Sequence, residues 1–149
     1  MREVIIASDE ESGRIHRETC HSAEEDCRLA GGDILGSVMG LSQEVERLHI
    51  VATWPDVIRL AAWKTEPKMG DLLVLLKSVG LRADELLPFA NADTGDLFPW
   101  LYYGKRFDTL RRLCRIAKKN AEDHVRKKDV RVYCHLISED VHRIVASSL

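Results

Sequence analysis

From residue 33 onward, the apolar positions of this chain recur mostly at helical spacing. Ile34, Leu35, Val38, Met39, Leu41, Val45 and Leu48 approximate one helical face, with Asp33 placed to cap the first turn. Thr53-Trp54-Pro55-Asp56 is a sharper start signal. Thr53 can cap, Pro55 is tolerated in a first turn, and Asp56 lies near the positive end of the helix dipole. That helix runs through Val57, Leu60 and Ala61 and ends near Trp63. Asp71 opens the run Leu72-Leu73-Val74-Leu75-Leu76, too apolar for a surface element, and Gly80 is its C-terminal stop. Ala83 to Ala90 is a short helical segment disturbed by Pro88. The longest element begins near Lys105. Leu110, Leu113, Cys114, Ala117 and Ala121 fall on one face, and Arg111, Arg115, Lys118, Glu122 and Arg126 on the other. This pattern predicts an amphipathic helix of about 20 residues.

Strand signals are few. Val4-Ile5-Ile6-Ala7 suits an edge strand, and Val130 to Leu136 alternates and is rich enough in β-branched residues to be another. Ser8 to His21 has no sustained period, so residues 1–21 are expected as an acidic, flexible arm. Residues 22–149 are expected as a single α-helical domain. Ser22 and Glu25 have capping-box spacing, Gly31-Gly32 interrupts the helix they open, and Ser138-Glu139-Asp140 caps a last helix through Val141, Ile144 and Val145. The expected fold class is mainly α: a compact bundle of about five to seven helices with at most one short strand pair.

Composition bounds the rest. At 149 residues, 45% of them hydrophobic, the chain is long enough for one domain with a core and too apolar for disorder throughout. No stretch of about 18 apolar residues exists, and the N-terminal run reaches Asp9-Glu10-Glu11 too soon for a signal peptide. A cytoplasmic protein without membrane insertion is the expectation. Cys20, Cys27, Cys114 and Cys134 form no C-x-x-C pair, which fits reduced thiols. The net charge of −2 hides a polarity: residues 1–49 carry five basic side chains against eleven acids, and residues 105–131 carry eleven against four. Such asymmetry fits a polyanionic partner, or one end of the chain resting on the other.

Three features bear on chemistry. Phe98-Pro99-Trp100-Leu101-Tyr102-Tyr103 packs four of nine aromatics into six residues and leads into Lys105-Arg106. Aromatic and arginine side chains anchor protein interfaces, so Phe98, Trp100, Tyr102, Tyr103, Lys105 and Arg106 form a candidate partner-binding surface. The basic helix is the second feature. Arg111, Arg112, Arg115, Lys118, Lys119, Arg126, Lys127 and Lys128 could follow a phosphate backbone, which makes nucleic acid the alternative partner. The third is the histidine–cysteine content. His16, Cys20 and Cys27 are the nearest approach to a zinc site, with Cys134, His135 and His142 a second group, but neither spacing matches an established ligand pattern and no metal or other cofactor is expected.

Enzyme signatures are mostly missing. There is no P-loop, G-x-G-x-x-G, H-E-x-x-H, G-x-S-x-G or deaminase pattern. Arg14 and His21 have a spacing seen in helical ribonucleases, and His124, His135 and His142 have no evident carboxylate partner. The resulting expectation is a small non-catalytic regulatory or adaptor protein that binds another macromolecule, with a homodimer among the forms it can take. A small hydrolase or nuclease ranks third.

Overall fold

The structure, a computed structural model, describes residues 3–20, 26–41, 44–125 and 129–148. It overturns the helical-bundle expectation: the fold is α/β, built on a five-stranded mixed sheet. In chain order the elements are β1 (Glu3–Ala7), α1 (Glu10–Cys20), β2 (Asp26–Leu29), α2 (Ile34–Met39), β3 (Arg47–Ala52) and α3 (Trp54–Ala62). There follow α4 (Met69–Ser78), α5 (Ala83–Leu86), α6 (Leu97–Tyr103), α7 (Phe107–His124), β4 (Arg131–Ser138) and β5 (Arg143–Ser147). Strand order is β2-β1-β3-β4-β5; the first four strands are mutually parallel, and β5 returns antiparallel to β4.

Much of the apparent arm is therefore structural. Val4-Ile5-Ile6-Ala7 is not an edge but an inner strand, paired with β2 on one side and β3 on the other. Its lack of alternation has a physical cause, because inner strands of parallel sheets are covered on both faces and read as continuous apolar runs. Similarly, the single helix expected from Ile34 to Leu48 stops at Gly40, and Leu48 belongs to β3. The final helix is instead β5, reached through a turn in which His142 adopts the left-handed region (φ 52°). The Ser22–Glu25 capping box lies outside the described residues. Helical periodicity identified real elements in α3 and α7, and Leu110, Leu113, Cys114, Ala117 and Ala121 are the buried face of α7. The run Leu72 to Leu76 is helical too, as α4, but it lies at the surface after all: only Leu72 and Leu76 are buried and Val74 is exposed.

The chain crosses the sheet in opposite senses on its two faces. The step from β1 to β2 runs one way through α1, while the steps to β3 and then β4 run the other way through the remaining helices. Right-handed crossovers require those two sets of helices to cover opposite faces. The core divides accordingly. Val4, Ile6, Leu48, Ile50, Val132, Cys134 and Leu136 pack with the buried faces of α2, α3, α4, α6 and α7. On the other face α1 contributes Ile15 to a much smaller cluster with Ile5, Ala7, Val51 and Ile137. Among the described residues no helix is long and apolar enough to cross a membrane.

Candidate metal centre

The small face beneath α1 holds three histidines. Helical spacing turns Ser12, Ile15 and His16 of α1 inward, and all three are buried. The start of this helix is fixed by Asp9, whose carboxylate accepts from the Ser12 amide at 2.8 Å. On β3, alternation sends Leu48, Ile50 and Ala52 into the main core and leaves His49 with Val51 on the α1 side. On β4 the same alternation separates Cys134, in the main core, from His135 beside Ile137. His49 lies opposite Tyr133 and Val51 opposite His135 in the parallel register, so the two histidines are diagonal neighbours.

His16, His49 and His135 each offer one ring nitrogen within 4.8 Å of the other two. Nδ1 of His49 faces Nε2 of His135 at 3.3 Å. Their rings stack at 5.6 Å with an interplanar angle of 8°, and His16 tilts against both, at 5.1 and 5.2 Å. Nδ1 of His135 is hydrogen-bonded to Ser147 Oγ of β5 at 2.7 Å, which orients that ring and leaves its Nε2 for the cluster. Tyr133 stacks on His49. His16 is fully buried, and neither of its nitrogens has a hydrogen-bond partner.

All three imidazoles are held neutral. Burial, then the neighbouring His49, pushes His16 down to about 4 against a weak opposing pull from Glu3. Burial, with His16 and His49, takes His135 down to about 3, and burial also lowers His49. A neutral imidazole keeps a lone pair for coordination. Two nitrogens bound to one tetrahedral zinc at about 2.0–2.1 Å stand about 3.3 Å apart, which the His49–His135 pair already matches. A simple core histidine accounts for His49 and His135 but not for His16, because an orphaned buried polar group costs about 1–3 kcal/mol. The donor set of three imidazoles without a thiolate suits zinc, copper, nickel or cobalt.

The candidates read from the sequence fall in different places. His16 and His135 belong to the centre, but in combination with His49 rather than with cysteines. Cys27, on β2, is half-buried against α1 near Gly13, outside the centre, and the Cys20 side chain lies outside the described ones. His142 is exposed and hydrogen-bonded to Glu11 at 2.6 Å; His124 stacks on Trp63. Arg14 bonds Glu18, and His21 lies outside the described residues. His49 carried one missed signal, a polar residue inside the apolar run Leu48 to Ala52.

The aromatic segment turns largely inward. Phe98 is buried against Trp54 and lines a cavity of about 220 Å³ with Pro55 and Ile137. Trp100 is half-buried between Phe89 and the guanidinium of Arg106, which also pairs with Glu85. Tyr102 stacks on Phe98 and accepts a hydrogen bond from Arg143, whereas Tyr103 and Lys105 are exposed. On α7, Arg111, Arg115 and Lys119 are exposed and Lys118 is half-buried; Arg112 is exposed too, but donates to the Val79 carbonyl at 2.8 Å. Arg126, Lys127 and Lys128 lie outside the described residues. No protein-family model matches the chain, and neither does any curated protein or solved structure.

Proposed function

We propose that this protein binds a divalent transition metal, zinc in the first instance, through His16, His49 and His135. The observation that carries the reading is His16: a fully buried imidazole with two unpartnered nitrogens, against a pair of histidines already at ligand spacing. Protein purified without a metal-chelating tag and titrated with zinc is expected to take up one equivalent. His49→Ala, which removes the half-buried ligand, is expected to abolish that uptake while the helical and sheet signals of the far-ultraviolet spectrum persist. Uptake below about one-tenth of an equivalent in the parent protein would sink the reading.

A second reading, docking of another macromolecule, draws support from exposed Tyr103 and Phe107 beside Lys105, Arg111 and Arg115. Aromatic and cationic side chains side by side suit a protein partner, and the cations alone suit phosphates. Arg111→Glu with Arg115→Glu is expected to remove salt-sensitive binding of labelled nucleic acid in an anisotropy titration. If the parent shows no binding even at low salt, the protein partner remains.

A further inference from the structure

Resting on the metal reading above, we infer that the metal held by His16, His49 and His135 keeps one coordination position for a small anion, and that Arg47 is the protein's contact to that anion. Three imidazoles are neutral donors, so they leave the charge of a dication uncompensated. Among the described residues no further histidine, cysteine or carboxylate has a ligand atom in the cluster. Three protein ligands with a fourth, exchangeable position is the arrangement of open zinc sites.

His16 and His135 are 0% and 4% exposed, whereas His49 is only half-buried and is the member of the cluster nearest to solvent. Arg47 lies two residues earlier on β3 and hence on the same face, and its charge acts on the His49 ring, though less strongly than that of Glu3. Its Nη1 holds Glu3 of β1 at 2.5 Å, and its Nε is buried with no hydrogen-bond partner. The Glu3 carboxylate, whose charge also acts on His16 and His49, is thus already engaged by the guanidinium, and the guanidinium still has its Nε donor to give. Dication and guanidinium together outweigh Glu3, so the position selects an anion over a neutral molecule or a cation. Ile15, the chain neighbour of His16, and Val51, opposite His135 in the register, bring apolar side chains to the same face and favour a small anion. Bicarbonate, a short carboxylate and azide share the required chemistry: one anionic donor atom that displaces a metal-bound water, with a second acceptor for Arg47.

Cobalt(II) provides the test, because its visible spectrum reports coordination directly. One equivalent added to the metal-free protein is expected to give the bands of a four-coordinate centre, and azide to shift them along a saturable curve. Arg47→Lys keeps the charge opposite Glu3 but lacks the Nε donor. It is expected to retain cobalt stoichiometry while weakening azide about ten-fold. Glu3→Gln removes the competing negative charge and is expected to tighten azide, a change of sign that partial unfolding would not produce. Cobalt bands that azide does not move overturn the open position but leave the metal reading standing. Unchanged azide affinity in both variants overturns the role of Arg47. Failure of cobalt and zinc alike to bind removes the reading on which the inference rests.

Discussion

His16 has no hydrogen-bond partner for either ring nitrogen, and this makes its energetics separable from its function. In the metal-free protein the buried ring costs about 1–3 kcal/mol that a hydrocarbon would not. His16→Leu is therefore expected to raise the denaturant midpoint of the metal-free protein and to eliminate zinc uptake, the exchange of stability for function that active sites show. A lower midpoint would mean that the ring has partners in solution. Acid supplies a second expectation. His16 and His135 titrate near 4 and 3 in the folded chain, below the ordinary value of 6.5, so between those values the unfolded chain binds more protons. Stability of the metal-free protein is full above about pH 6.5 and falls as pH drops toward 4. Urea melts at pH 7 and pH 5 check this, and equal midpoints would contradict the neutral triad. At this scale the sequence was only partly legible. His16 and His135 stood out but attracted nearby cysteines as partners, because ligands drawn from positions 16, 49 and 135 leave no spacing signature.

The element most exposed to the metal is α1. Among the described residues it is the only helix contributing to the small apolar cluster on its face, where Ile15 joins buried Ile5, Ala7, Val51 and Ile137. By contrast α7 sends Leu110, Leu113, Cys114, Ala117 and Ala121 into the main core. A metal bridging His16 to both strands adds the strongest link between α1 and the sheet. Zinc at 100 times its Kd stabilises the bound state by about 2.7 kcal/mol, and regions that open locally feel it most. Amide exchange is expected to slow in α1 by a larger factor than in α7 when zinc is added. Equal slowing would show that α1 opens only with the whole fold. Legibility followed periodicity here too. The helices α3 and α7 each bury one apolar face, whereas α1 has a mostly polar surface and a buried histidine in place of an aliphatic stripe. Its inward positions became recognisable only once β1 and β3 were strands.

At the scale of the molecule, the sheet separates the histidine cluster from the basic helix. His16 belongs to α1 on one face; exposed Arg111, Arg115 and Lys119 belong to α7 on the other. A helical-bundle reading conceals this, because it has no sheet to divide the two. What the sequence lacked was long-range information: the order β2-β1-β3-β4-β5 rests on pairings as distant as Arg47 with Arg131, which local periodicity does not encode. The division has a consequence for function. A metal beneath α1 and a polyanion on α7 would sit on opposite faces with the sheet between them and no shared side chain. Sites separated in this way act additively to within about 0.5 kcal/mol. Arg111→Glu with Arg115→Glu is accordingly expected to leave zinc affinity within about two-fold of the parent, and His49→Ala to leave the salt-sensitive binding of nucleic acid unchanged. Isothermal titration of both variants with both ligands measures the coupling. A larger value would have to travel through β3 and β4, the strands that carry His49 and His135 on one face while Leu48, Ile50, Val132, Cys134 and Leu136 pack into the main core on the other. In that case the sheet would be a switch between the two faces, and α1 docking would be the variable that the metal sets and the basic helix reads.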